Sequence, residues 1–201
     1  MSDDVPAPMM PAAVLQTERL TLRAHTRDDI GAVYRGAADP AVQRWLPMPE
    51  PGAPYTRADA EHWCLVAAPQ ARAGGDGQQW AAVDTATGAY LGAIGLNRTA
   101  WRARCTEIGY WLCAWARGRG LATEAVVAVS RWALVEQGLQ RVELKAAVGN
   151  AASRRVAEKA GFAYEGTERN AMPLHEGRTG LATYSLIPGD LHGAEADTTA
   201  R

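Results

Sequence analysis

The run Arg117-Gly118-Arg119-Gly120 constrains this chain more than any other. It stands between a strand-like segment, Cys105–Cys113, and a long helical pattern. The apolar face of that pattern is Ala122, Ala125, Val126, Val129, Trp132 and Ala133, and Gly138 stops it. A strand that enters a glycine-rich turn and leaves as a helix aims several backbone N–H groups at one point. The positive end of the helix lies beside that point. Glycine permits the turn and leaves room for a ligand close to the backbone. The result is an anion site suited to a pyrophosphate, with Arg117 and Arg119 adding charge. A solvated Arg/Gly turn before a surface helix is an equal reading of the loop by itself. Walker A is excluded because the loop has no Lys. A Rossmann fingerprint is excluded because Thr123 stands where its last glycine would be.

The rest of the chain reads as mixed α/β. Glu18–Ala24 alternates Leu20 and Leu22 with polar residues, as a strand does. Thr26 and Asp29 form a capping-box signature ahead of Ile30, Val33, Tyr34 and Ala37, which share one helical face. Asp39-Pro40 ends that helix, and the Pro-rich stretch from Val42 to Tyr55 is a loop with at most a short turn. Thr56 and Asp59 repeat the capping signature before Ala60, Trp63, Cys64 and Ala67. Three strand-like runs follow, Gln79–Asp84, Ala89–Leu96 and Cys105–Cys113. Beyond the long helix, Arg141–Ala147 alternates as a strand, and Asn150 can cap a helix over Ala151–Ala160. Phe162–Arg169 and Leu181–Ile187 read as final strands. Antiparallel strands followed by a β-α-β crossover exclude a doubly wound parallel sheet.

Length and composition narrow the function classes. The 201 residues fit one domain, expected over 15–190, with a disordered lead at 1–14 and a flexible tail at 191–201. Lys and Arg number 21 against 22 Asp and Glu, and this balance argues against a dedicated nucleic-acid binder. No apolar run of membrane-spanning length exists. The acidic, Pro-rich start lacks the basic and apolar regions of a signal peptide, so a cytoplasmic protein is expected. Cys64, Cys105 and Cys113, with four scattered His, give no metal-binding spacing, and no metal is expected. Trp63 and Trp132 lie on helical apolar faces and read as core. Trp45 and Trp101 are freer and could wall a substrate groove or pack partly on the surface.

Two blocks together carry a resemblance. Arg117-x-x-Gly120-x-Ala122 resembles the acyl-CoA pyrophosphate loop Q/R-x-x-G-x-G/A of the GNAT acetyltransferases. Asn150-Ala-Ala-Ser153, continuing to Glu158-Lys159-Ala-Gly161-Phe162, resembles that family's second signature. Glu18-Arg-Leu-Thr-Leu-Arg23 and Tyr184-Ser-Leu186 fit as well. The likeness is strongest to the RimJ/RimL-type branch, whose members acetylate protein N-terminal amines. It implies a mixed, bent sheet flanked by helices. The sheet would be splayed between its fourth and fifth strands, 105–113 and 141–147, with acetyl-CoA in the gap.

The resemblance also implies site residues. Trp111, Leu112, Arg117, Gly118, Arg119, Gly120, Leu121, Ala122, Thr123, Asn150 and Arg154 are the expected acetyl-CoA contacts. The oxyanion donor would be a backbone N–H near Trp111 or Leu112. Glu107 is the candidate base, acting through water. On residues alone a solvated strand carboxylate or an ion-pair partner of Arg104 is the favoured reading, and the resemblance makes the base an equal one. Ser153 is the candidate acid toward the thiolate, or else a residue assisting the helix cap. Some family members place a Tyr acid where this chain has Ala157, which leaves Ser153. Arg155 and Lys159 could also meet phosphates, and His175 could line the acceptor pocket or simply be exposed. Neutralising an α-amine near pH 7 costs about 1 kcal/mol, against about 4–5 kcal/mol for a Lys. An N-terminal amine is therefore the expected acceptor. A small amine (amino acid, polyamine or antibiotic) and a non-catalytic acyl-CoA-binding module are the alternatives, and the chain is expected to be a monomer or homodimer.

Overall fold

One eight-stranded sheet organises the molecule, in the order β1-β2-β3-β4-β5-β6-β8-β7. The computed structural model describes residues 9–191. The strands are β1 (Leu15–Gln16), β2 (Leu20–Arg23), β3 (Gln79–Asp84), β4 (Tyr90–Ala100), β5 (Cys105–Leu112), β6 (Arg141–Ala147), β7 (Ala163–Pro173) and β8 (Arg178–Leu186). Among the described residues only the β5–β6 pair is parallel. The two-residue β1 shifts the count, so the fourth and fifth strands of the sequence reading are β5 and β6. The last hairpin is also longer than its sequence runs suggested.

The helices are α1 (Ile30–Ala37), α2 (Pro40–Gln43), α3 (Arg57–His62), α4 (Ala68–Ala73), α5 (Leu121–Arg131) and α6 (Ala151–Lys159). Both capping boxes form. Asp29 returns a bond to the Thr26 backbone, and Asp59 does the same to Thr56. A π-helical turn, Trp63–Ala67, joins α3 to α4. Asp39 does more than end α1. Its carboxylate accepts the Ala41 N–H, and Pro40 starts α2 where its missing N–H costs nothing. The expected loop therefore begins with a helical turn.

Period-2 alternation sorts β5 and β6 onto two faces. Ile108, Val142, Leu144 and Ala146 point to one core with Val126, Val129, Trp132 and Ala157 of the helical segments around α5 and α6. Trp80 meets Trp132 edge to face at 5.4 Å in that core. On the other face, Ile30, Val33, Ala60 and Cys64 pack against Ala81, Val83 and Tyr90. Met10 and Ala13, within the expected loose lead, pack against the first core. Met10 is fully buried, and Trp80 Nε1 donates to the Ala13 carbonyl at 2.8 Å. Burying a methionine side chain contributes about 1.5–3 kcal/mol toward ordering this segment. Residues 1–8 and 192–201 of the expected lead and tail lie outside the described residues. No helix among the described residues is long and apolar enough to cross a membrane.

Candidate active site

The site begins where β5 and β6 part. Their pairing runs from Cys105↔Arg141 to Ile108↔Leu144 and stops. Beyond it, Gly109–Leu112 pair only with β4, and Lys145–Ala147 only with β8. The facing edges carry backbone groups that a ligand can satisfy. Their direction follows from two bonds. The Cys113 N–H donates to the Leu91 carbonyl of β4, whereas the Leu112 carbonyl turns away and accepts from Arg117 Nε at 3.0 Å. Antiparallel alternation then turns the N–H groups of both Leu112 and Tyr110 toward the gap.

A cleft of about 920 Å³ runs through this gap. At one end lie Gly118, Gly120, Leu121, Ala122 and Thr123. Gly118 and Gly120 have φ of +73° and +78°, a region that disfavours side chains. No side chain caps α5, so the first N–H groups of the helix stay available to an anion. The chemistry of this donor set fits a pyrophosphate. Arg19 braces the turn. Its Nη1 donates to the Arg119 carbonyl at 2.8 Å, while Glu124 of α5 holds its Nε at 2.7 Å. Arg19 was not among the expected site residues. Its signal is the Arg of Glu18-Arg-Leu, but the partner lies about a hundred residues away.

The two loop arginines differ. Arg117 lines the cleft, with its Nη2 on the Asp39 carboxylate at 2.7 Å. The Arg119 side chain lies outside the cleft lining. Helical spacing separates the α6 cations in the same way. Ala152, Ser153, Arg155, Val156 and Lys159 face the cleft, whereas Arg154 turns aside and its Nε donates to the Tyr184 hydroxyl at 3.2 Å. Asn150 lines the cleft and caps α6, its Oδ1 accepting the Ser153 N–H at 3.1 Å.

Ser153 Oγ accepts from the Tyr110 hydroxyl at 3.1 Å. That bond leaves the serine proton free to donate into the cleft. Burial pushes the Tyr110 phenol up to about 12, so it stays protonated and serves as a donor. Sequence reasoning missed Tyr110. Period 2 puts it on the face of β5 opposite Glu107, but only the folded chain brings α6 over it. Glu107 lies on the other face with Trp111, and both line the cleft. Its Oε2 accepts from Arg98 Nη1 at 2.8 Å. The ion-pair partner is therefore Arg98 rather than Arg104. Arg98 sits at φ +52° in the irregular register of β4, which aims its side chain across the strand pair.

Beside Glu107 the cleft is walled by Lys145, Glu168, Met172 and Pro173, and by Trp45 and Leu46. Lys145 Nζ meets Glu168 Oε1 at 2.6 Å. Trp45 thus borders the cleft, while Trp101 packs on the core and donates to the Gly75 carbonyl. Cys64 and Cys113 are buried, and desolvation pushes both thiols up to about 12.

Comparison with known proteins agrees with this geometry. Residues 19–163 match the family model described as acetyltransferase (GNAT) domain. The chain belongs to the GNAT acetyltransferase family. It is 36% identical over 106 residues to "Putative ribosomal N-acetyltransferase YdaF" of Bacillus subtilis, covering 53% of this chain and 58% of that protein. It is 31% identical over 97 residues to the ribosomal-protein-serine acetyltransferase of Escherichia coli, covering 48% and 54%. The matches thus span little more than half the length of these two relatives. Mycobacterium smegmatis RimJ, solved in complex with CoA-disulfide, superposes with a TM-score of 0.77 at 19% identity, covering 89% of this chain and 88% of that one. That likeness shows the fold. Family membership makes the protein an acyltransferase with acetyl-CoA as acetyl donor, the group that the uncapped α5 turn fits.

Proposed function

We propose that the chain transfers the acetyl group of acetyl-CoA to the N-terminal α-amine of a protein or peptide, by direct attack within a ternary complex. The observation that carries this reading is the single cleft through the β5–β6 gap. It has Glu107 on one face of β5 and the Tyr110–Ser153 pair on the other. Acetyl-CoA supplies an activated thioester carbonyl. The amine nitrogen bonds to that carbon, and the C–S bond breaks. Glu107 takes the proton from the amine through water. The Tyr110 and Leu112 N–H groups meet the negative charge that develops on the acetyl oxygen. Ser153 gives its proton to the departing thiolate, and Tyr110 holds the serine oxygen in place. Gly118–Thr123 and the N-terminus of α5 bind the pyrophosphate, with Arg155 and Lys159 adding positive charge. The names of the Bacillus and Escherichia relatives support a ribosomal-protein acceptor.

A thiol-release assay across N-terminal peptides and small amines tests the reading. Peptides with a free α-amine are expected to turn over faster than polyamines or amino acids. Glu107→Gln should lower kcat/KM with the best acceptor by about 100-fold, and leave acetyl-CoA affinity intact. Unchanged turnover in that variant removes Glu107 from the chemistry. Preference for a small amine replaces the acceptor.

A further inference from the structure

Two walls of the cleft come from distant parts of the chain. One is a strap, α2 and the residues up to Gly52, which contributes Trp45 and Leu46. The other is the end of β7, which contributes Met172 and Pro173. The strap is fixed at the β5 side, where Asp39 accepts from Arg117. It is also seated against the β6–α6 connection. A Cβ added at Gly149 would stand 3.1 Å from the Trp45 ring, so the indole lies flush on that backbone.

The far side is closed by His175, in the turn between β7 and β8. Its Nδ1 is 2.9 Å from the Gly52 N, and its Nε2 is 2.7 Å from Gln43 Oε1. The neighbours fix which atom donates. Gln43 Nε2 donates to the Ala37 carbonyl at 2.8 Å, and Gln43 Oε1 accepts the Met48 N–H at 3.2 Å. The Gln43 amide is therefore oriented with its oxygen toward His175. Nε2 of His175 must carry the hydrogen and donate to that oxygen. Nδ1 must be bare and accept from the Gly52 N–H, which has no lone pair to offer. One neutral tautomer satisfies both partners. No other protonation state does.

We propose that His175, as the Nε2–H tautomer, is a positioning residue that latches the strap to the β7–β8 hairpin and sets the acceptor entrance. The inference rests on the reading of the Glu107 end as the acceptor side. Prolines at 47, 49 and 51 stiffen the strap, so a bond at Gly52 is felt back at Trp45. Releasing the latch moves Trp45 and Leu46 away from Met172 and Pro173. The pyrophosphate end, held separately by Arg19 and Glu124, stays in place.

Hydrogen exchange and steady-state kinetics on the full chain test this. The Gly52 amide is itself the donor, so its exchange reads the bond directly. His175→Ala should speed exchange at Gly52 and Ala53 by about five- to tenfold, the loss of one or two modest hydrogen bonds. The KM for an N-terminal peptide should rise about fivefold while the KM for acetyl-CoA holds. His175→Asn, which returns an amide oxygen near the Nδ1 position, should restore slow Gly52 exchange and part of the KM. Unchanged exchange in His175→Ala overturns the latch. Faster exchange with an unchanged acceptor KM overturns the positioning role. If the wild-type chain acetylates no peptide, the acceptor reading fails on its own, and the exchange result still decides the latch.

Discussion

Lowering the pH should destabilise this protein through His25. Both ring nitrogens of His25 are buried and lack hydrogen-bond partners. The ring sits 6.1 Å from both Trp63 and Tyr90, and Tyr90 in turn lies 6.1 Å from Trp111 at the cleft. Desolvation holds the imidazole well below its usual range, at about 4 against 6.5, outweighing the attraction of Asp29. The folded state therefore keeps His25 neutral where the unfolded chain would protonate it. Stability from this group is complete above about pH 6.5, declines as pH falls, and is fully lost below about pH 4. With those two values the loss at pH 5 is about 2 kcal/mol relative to pH 7.5. Urea unfolding of the wild type and His25→Leu at both pH values gives the measurement. Comparing each protein with itself cancels the packing change of the substitution, and carboxylates that do not interact with His25 cancel as well. The wild type should lose about 2 kcal/mol more than the variant between pH 7.5 and pH 5. A difference below about 0.5 kcal/mol would refute the buried neutral imidazole, because a shift of one unit is already worth more.

Two further outcomes follow from the cleft. Gly120→Glu forces a side chain into φ +78° and brings negative charge to the uncapped end of α5. Calorimetry should detect a loss of acetyl-CoA affinity of at least tenfold; unchanged affinity would move the pyrophosphate elsewhere. Ser153→Ala should lower kcat by about 10- to 100-fold with little change in KM for acetyl-CoA, and Tyr110→Phe should lower it less. Equal kcat in Ser153→Ala and wild type would mean that the thiolate leaves without a side-chain acid.

Local patterns in the sequence determined much of this protein. Period-2 runs gave most of the strands, and the two capping boxes placed the starts of α3 and of the turn before α1, because these signals act within a few residues. The Gly118/Gly120 turn and the Asn150 cap were legible for the same reason. The strand–turn–helix order with its single crossover was enough to exclude a doubly wound sheet. The tertiary structure alone decided which distant groups meet. Arg19 reaches Arg119, Tyr110 reaches Ser153, and His175 reaches Gly52, each across tens of residues or more, and no local periodicity encodes such a partner. It also decided which α6 cation faces the cleft, since Arg154 and Arg155 differ only by a rotation of the helix. The end of β5–β6 pairing after Ile108 belongs here too. Where two strands part depends on the neighbours each one keeps, β4 for one and β8 for the other, and that is a property of the whole sheet.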